Sequence, residues 1–399
     1  MLSDATLDYA ETLTAALLGL DARYAAERGK GAPGGGGDIE RLVVLNLSTT
    51  HAPEPFADYG AARTRFAELR AQAERLPEAD RRRYYAQTCD SAIAFARWRE
   101  DGLAFPDQIA GFLHVPAAPA SADDLDGLRG ELRRLLTDLG YAGDLAAQFA
   151  AWEARHRVPS DAVAATLRDL LSQAWDRTAE RMEIPAAKSD GMRVETVSSV
   201  PYNAMCDYGQ RLIRLNVDPT LTVPGLRHLA VHEGYPGHYV QFRRREAGYA
   251  AGRVPADALL SVVNTASSSV FEGIADVGLD VIGWQSDPDD RVGALLARYR
   301  SGIATQAAWR LHAEGWTPAR VRDGLLGDAL GGGEGWVDAR MRFISADDRA
   351  VLIWSYWWGE PSVAGVWQRV RAMPDRWPAY VEYVYDRMHS PDSIGLFAG

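Results

Sequence analysis

One seven-residue segment contains two histidines and a glutamate that could hold and use a metal ion. It reads His232-Glu233-Gly234-Tyr235-Pro236-Gly237-His238. Neutral imidazoles are common zinc ligands, and a glutamate beside a ligand histidine can take a proton from water that the metal activates. The usual helical pattern for this chemistry is H-E-x-x-H, which places both histidines on one face of the helix. Here the second histidine follows six residues after the first instead of four.

The proline and glycine inside this segment could bring the two histidines together. Six residues of ideal helix turn by about 600°, which would leave the two rings about 120° apart. Pro236 has no amide hydrogen, and its ring would clash with the carbonyl of His232, so the helix must bend or bulge. Gly237 tolerates the backbone angles that result. We therefore predict a two-residue bulge in an H-E-x-G-H helix, with His232 and His238 as metal ligands and Glu233 as the general base.

A catalytic zinc needs a third protein ligand. Glu272 is the best candidate, because it follows His238 by about one loop and one helix. Asp276, one helical turn later, could accept the free N–H of a ligand histidine and fix its orientation. His228 offers a rival arrangement, since it precedes His232 by four residues and the two could bind a metal with Glu272 without any kink. This rival leaves the glutamate and the second histidine of the segment without roles.

A tyrosine hydroxyl near the metal could stabilise the oxyanion that forms when water attacks a carbonyl. Tyr356, within a run of aromatic residues late in the chain, is the first candidate for this catalytic role. Tyr202 and Tyr208 lie beside predicted strands and are weaker candidates. Aromatic runs are also typical of a hydrophobic core, and Tyr356 could instead be a core residue.

The elements that must position these residues are mostly helical. Apolar residues recur at helical spacing in several segments, among them 3–28, 124–139 and 161–183. Alternating β-branched residues predict two strands, at 193–200 and 211–217. We expect these strands to form a small sheet just before the metal-binding helix. Its edge would border the cleft and offer backbone hydrogen bonds to an extended substrate.

Composition limits the possible functions of the chain. It has 399 residues, of which 47% are hydrophobic, enough for a large core. A net charge of −11 without a concentrated basic surface argues against a nucleic-acid partner. Cys89 and Cys206 make no disulfide framework, and reduced thiols fit a cytoplasmic location. We see no signal peptide and no segment apolar enough to span a membrane. Abundant alanine, arginine and glycine suggest a bacterial source.

These residues together resemble a bacterial family catalogued as domain of unknown function 885, whose members look like zinc-dependent peptidases of the glutamate-zincin type. The marker helix of that family reads H-E-x-x-P-G-H-H-x-Q. The matching residues here are His232, Glu233, Pro236, Gly237, His238 and Gln241. Tyr239 stands where the family typically has another histidine.

Two weaker motifs of the family are matched in part. In the element E-G-W-A-L-Y-A-E, the matches are Glu272, Gly273 and Ala275, whereas Ile274 replaces the tryptophan and Leu279 the last glutamate. In the element Y-x-x-G, the matches are Tyr356 and Gly359. The resemblance covers the chain from about residue 193 to its end. It implies a mainly α, zincin-like fold with a small β-sheet beside a deep cleft that contains the metal.

The sequence therefore predicts a helical N-terminal region at 1–185 and a metal-binding catalytic region at 186–399, in one continuous structural unit. The predicted function is a zinc-dependent hydrolase that cleaves a peptide or amide bond in a small-molecule or short peptide substrate. Two histidines and a carboxylate also suit iron or manganese. The alternative is a metalloenzyme of a specialised pathway that eliminates, cyclises or oxidatively rearranges an amino-acid-like molecule. A binding protein with a vestigial site is a third possibility.

Overall fold

The structure is a computed structural model that describes residues 2–28, 41–184 and 191–398. These residues are mainly helical, as the sequence predicts. In chain order the elements are α1 (Asp4–Arg28), β1 (Val43–Asn46), α2 (Tyr59–Ala73), α3 (Ala79–Asp101), α4 (Phe105–Leu113), α5 (Ala122–Asp138), α6 (Leu145–His156), α7 (Val163–Arg181), β2 (Arg193–Val197), β3 (Ala204–Asp207), β4 (Leu212–Asn216), α8 (Val223–Leu229), α9 (His238–Ala250), β5 (Leu260–Val262), α10 (Ser268–Val281), α11 (Pro288–His312), α12 (Pro318–Asp328), α13 (Gly333–Ile344), α14 (Ile353–Val370), α15 (Trp377–Asp386) and α16 (Pro391–Ile394). A π-helical segment, Ala230–Gly234, follows α8 and is called the π segment below.

The chain forms two compact units, each built from separate stretches of sequence. Unit 1 comprises Met1–Ala117, Gln241–Gly273 and Trp358–Gly399, and unit 2 comprises Ala118–Val240 and Ile274–Trp357. The chain passes from one unit to the other at four points: between Ala117 and Ala118, in the loop after α4, and inside α9, α10 and α14. The boundary expected between residues 185 and 186 lies outside the described residues, and both units contain residues from each side of it.

Unit 1 combines helices with a two-stranded antiparallel sheet. In that sheet β1 pairs with β5, so that Val43 lies opposite Val262. The segment 3–28 forms α1, as its apolar spacing predicts, and it buries a row of leucines that includes Leu13 and Leu17. α2 begins where the side chain of Asp58 accepts a hydrogen bond from the third amide of the helix, which is a common N-cap.

No helix in the described part of the chain is long and apolar enough to cross a membrane.

Unit 2 contains a three-stranded sheet in the order β2-β4-β3. The predicted strands at 193–200 and 211–217 are β2 and β4, and they pair in parallel, with Arg193 opposite Leu212. β3 runs antiparallel to β4 and was not predicted. Its four residues are too few for an alternating pattern to stand out. β3 is consequently one of the two edge strands of this sheet.

The start of α8 is fixed by its cap and by α11. The side chain of Thr222 accepts a hydrogen bond from the amide of Gly225, and Pro224 occupies the first turn, where it loses no hydrogen bond. A β-carbon added to Gly293 of α11 would lie 3.0 Å from the β-carbon of Pro224. Arg227 forms an ion pair with Asp290 on the same helix α11. The chain therefore enters the π segment from an anchored helix.

Candidate metal centre

Between the two histidines the chain leaves the helix. The π segment ends at Gly234, the peptide bond between Tyr235 and Pro236 is cis, and α9 begins at His238. The amide of Gly237 donates to the carbonyl of Val231 at 2.9 Å. The predicted bulge in a continuous helix is therefore wrong in its details. Since Pro236 has no amide to continue the ladder, the chain widens into a π turn, breaks, and starts a new helix.

Two glycines allow this turn to pack tightly. A β-carbon on Gly237 would lie 1.9 Å from the carbonyl oxygen of His232 and 2.3 Å from that of Val231. A β-carbon on Gly278 of α10 would lie 2.7 Å from the Val231 side chain and 3.3 Å from the ring of Pro236. These distances lie inside van der Waals contact, so larger residues would force the backbone apart.

The turn brings the two predicted ligand histidines together. The ring centroids of His232 and His238 are 4.7 Å apart, and the ring planes cross at 81°. The ligand atoms of these histidines and of Glu272, in the first turns of α10, all lie within 4.8 Å of one another. Donors around one tetrahedral zinc, each at about 2.1 Å from it, are about 3.4 Å apart. Small side-chain rotations would therefore complete the coordination, and this donor set fits zinc.

The side chain of Asp276 orients one of these histidines. Its Oδ1 lies 2.8 Å from Nδ1 of His232, which is the contact predicted for a residue one turn after Glu272. When Nδ1 donates to the carboxylate, the ring of His232 is the tautomer whose Nε2 carries the lone pair, which is the form that binds a metal. Helix α10 thus carries two carboxylates with different roles. Glu272 is a candidate metal ligand, and Asp276 orients the candidate ligand His232.

His228 lies on the Asp276 side of His232. Its ring centroid is 5.6 Å from that of His232, and its Nε2 is 3.5 Å from Oδ1 of Asp276. Burial lowers the pKa of His228 to about 4, although Asp276 acts in the opposite direction, so the imidazole is neutral at pH 7. Among the described residues, the rival set of His228, His232 and Glu272 does not form a group with all ligand atoms within 4.8 Å.

Two neighbours of Glu233 lie in the edge strand β3 or just before it: Cys206, which sequence reasoning did not identify, and Tyr202, which it named as a weaker oxyanion donor. Glu233 is buried, with 6% of its surface exposed. Burial and the nearby charge of Glu233 hold the pKa of the Cys206 thiol well above its usual range. Burial also raises the pKa of Tyr202, and Glu233 contributes to that shift. Tyr202 thus lies within electrostatic range of the predicted base. No sequence signal pointed to Cys206.

The other two tyrosines predicted as possible oxyanion donors occupy different surroundings. Tyr208 packs against Tyr239 with ring centroids 5.3 Å apart, and both side chains are buried. Tyr239, which stands where the family has a histidine, is thus a core residue. The ring centroid of Tyr356 lies 6.4 Å from that of Phe343. Burial lowers the pKa of Arg340, and the electrostatic interaction with Tyr356 raises it. The catalytic role of Tyr356 stays a prediction.

Three residues of the motifs on which the resemblance rests fix the part of α10 that belongs to unit 1. A β-carbon on Gly273, which follows Glu272, would lie 2.2 Å from the carbonyl oxygen of Gly359, so α10 and α14 cross with their backbones in contact. The side-chain amide of Gln241 donates to the carbonyl of Phe271 at 3.2 Å. The residues on both sides of Glu272 are therefore fixed, which accounts for the two glycines and the glutamine of the motifs.

Replacement of Asp276 should weaken metal binding without removing a ligand. We expect Asp276→Ala to raise the zinc dissociation constant by about 10- to 100-fold, because His232 loses the acceptor that orients its ring. Competition with a chelating dye measures this constant. The matched control is Asp323→Ala, an exposed position on α12, which should leave the constant unchanged. Equal zinc affinity in Asp276→Ala and the parent chain would remove the orienting role.

Comparison with protein-family models and with curated proteins finds no match. Two solved structures have a similar fold. A "putative lipoprotein" from Colwellia psychrerythraea has a TM-score of 0.54 and 13% identity, over 84% of this chain and 68% of that one. A "putative lipoprotein of unknown function" from Shewanella oneidensis has a TM-score of 0.50 and 12% identity, over 96% of this chain and 77% of that one. At such identities the likeness concerns the fold alone, which is mainly α-helical.

Proposed function

We propose that this chain is a zinc-dependent hydrolase that cleaves a peptide or amide bond in a small-molecule or short peptide substrate. One observation carries the proposal: the ligand atoms of His232, His238 and Glu272 lie within 4.8 Å of one another. Two imidazoles and one carboxylate would leave zinc an open coordination position for chemistry. The proposal includes two further points: that the chain is related to the domain of unknown function 885 family, and that a zincin-like cleft surrounds the metal. The same donors would also accept iron or manganese.

Each residue of the site has a role in this reaction. Zinc, when bound, would polarise the substrate carbonyl and lower the pKa of a water molecule to about 7. Glu233 would take the proton of the attacking water and pass it to the leaving nitrogen. The hydroxyl of Tyr356, or of Tyr202 beside Glu233, would donate a hydrogen bond to the oxyanion.

The same geometry supports an extended substrate. β3 is an edge strand, so one side of its backbone can pair with another chain. Its residue Cys206 and the preceding Tyr202 lie within electrostatic range of Glu233. A peptide that pairs with β3 would therefore pass near the proposed base, which is the arrangement that peptide cleavage requires.

Metal analysis together with peptide cleavage tests the proposed function. We expect the purified chain to hold about one zinc ion, to cleave members of a short-peptide library, and to lose cleavage when a chelator removes the metal. Added zinc should restore it. His238→Ala should bind no zinc, whereas His51→Ala, in unit 1, should bind it normally. A chain without a transition metal, or cleavage that survives metal removal, would contradict the proposal. Bound metal without cleavage of any peptide would favour the non-hydrolytic alternative.

The compartment is part of the proposal. Cys89 and Cys206 are both free thiols, which suits the reducing cytoplasm. The two solved structures of similar fold are described as lipoproteins, and a location outside the cytoplasm is the competing possibility. Fractionation of cells that make the protein distinguishes the two.

A further inference from the structure

Arg340 of α13 is a partly buried cation with no anionic partner among the described residues. Its guanidinium lies 5.8 Å from the ring centroid of Trp336 and 5.6 Å from that of Phe343. Its Nε is buried and has no hydrogen-bond partner within the described part of the chain. Burial lowers the pKa of Arg340, yet a guanidinium remains charged at neutral pH. A partly buried charge without a counter-charge is costly, so its presence points to a ligand.

A second arginine strengthens the positive charge at this place. The guanidinium of Arg300, on α11, lies 5.0 Å from the centroid of the same ring of Trp336. Unlike Arg340, it is partly satisfied, since it donates to the carbonyl of Leu330 at 2.6 Å and is near Glu153. Burial lowers the pKa of Arg300 to about 10. The Nε of Arg300 is also buried without a partner, but Arg300 has an anionic neighbour, whereas Arg340 has none among the described residues.

Arg340 lies next to the tyrosine that was predicted to serve the reaction. Tyr356 and Arg340 both pack against Phe343, and the two are within electrostatic range of each other. Arg340, Phe343 and Tyr356 all belong to unit 2.

We propose that Arg340 binds a carboxylate of the substrate, so that the substrates are short peptides or N-acyl amino acids with a free carboxylate group. A guanidinium forms two parallel hydrogen bonds with a carboxylate, and aromatic walls such as Trp336 and Phe343 strengthen that contact by excluding water. The assignment of a hydrolysed substrate rests on the proposed function. Recognition of the carboxylate does not depend on the metal.

The binding of matched acids and amides tests this proposal. The probes are N-acetyl-L-amino acids and the corresponding C-terminal amides, and calorimetry on the full chain as purified gives their dissociation constants. We expect at least one acid to bind about 30-fold or more tightly than its amide, because the amide loses the charged pair. Arg340→Gln should abolish this preference, and Arg340→Lys should retain part of it. Arg342→Gln, exposed on the same helix, is the matched control and should keep the full preference.

The possible outcomes separate this proposal from the proposed function. Loss of the acid preference in Arg340→Gln, with a melting temperature near that of the parent chain, supports carboxylate recognition even if the chain holds no zinc. If the amides of N-acetyl-aspartate or N-acetyl-glutamate also bind in an Arg340-dependent way, the carboxylate can come from a side chain. Failure of every acid to bind the parent chain, or an unchanged preference in both Arg340 variants, overturns the proposal. If the chain cleaves acids and amides equally in a zinc-dependent reaction, carboxylate recognition is overturned and the proposed function stands.

Discussion

Glu233→Gln should lower kcat/KM by about 1,000-fold or more while zinc remains bound. The amide has the size of the carboxylate but cannot accept a proton from water, and general base catalysis contributes about 100- to 10,000-fold. Such a loss corresponds to about 4 kcal/mol of transition-state stabilisation. Glu233 is 6% exposed, so bulk water cannot easily replace it as the proton acceptor. The measurements are kcat/KM on a peptide that the parent chain cleaves, and zinc content by elemental analysis.

The control for this variant is Glu314→Gln, the same substitution at an exposed position after α11. It should leave both kcat/KM and zinc content unchanged. If Glu233→Gln kept activity within tenfold of the parent chain, Glu233 would not be the base. If it lost its zinc, the residue would act as a ligand instead, and His238 or Glu272 would need another role.

The meeting of His232 and His238 could be predicted from the sequence because its cause is local. A proline and a glycine between two histidines exclude a regular helix, and few other paths bring potential ligands back into register. The contact of Asp276 with His232 could be predicted for a similar reason. Residues four apart share a helix face, so a carboxylate one turn after Glu272 faces the same partners.

The exact path of the backbone could not be predicted, because distant residues decide it. Proline permits either a bulge or a break. The tight contact of Gly237 with two carbonyl groups, and of Gly278 on α10 with the same turn, fits the break that the structure shows. Neither contact leaves a periodic signal in the sequence. The same holds for β3, whose four residues become a strand through pairing with β4.

The two units also could not be predicted, for a different reason. At three of the four crossings the chain passes between them inside α9, α10 and α14, where helical periodicity continues without a change in composition. Linkers rich in proline, glycine or polar residues usually mark a domain boundary. Only the fourth crossing, in the loop after α4 that contains Pro116 and Pro119, has that character. The surroundings of Tyr202, Cys206 and Arg340 likewise depend on tertiary packing, which a single sequence does not report.

Gly237→Ala should strongly weaken metal binding and lower the free energy of unfolding by about 2 kcal/mol or more. The added methyl group would lie 1.9 Å from the carbonyl oxygen of His232, so the backbone of the turn must move apart. That movement separates His232 from His238, whose rings are now 4.7 Å apart. We expect zinc affinity to fall at least 100-fold, because catalytic ligands tolerate displacements of only about 0.5 Å. Denaturant titration measures the stability of the zinc-free chain, and a competing dye measures zinc affinity.

Gly130→Ala supplies the matched control, because Gly130 lies exposed on α5 with no atom within 4 Å of an added β-carbon. Alanine is the better helix former there, so stability should stay equal or rise by up to about 1 kcal/mol. Glu233→Gln alters the chemistry and keeps the geometry, whereas Gly237→Ala alters the geometry and keeps every ligand. Zinc binding that survived in Gly237→Ala would mean that the turn does not assemble the site. The ligands would then have to be sought in the other group of possible ligands that the described residues form, which is His228, His232 and Asp276.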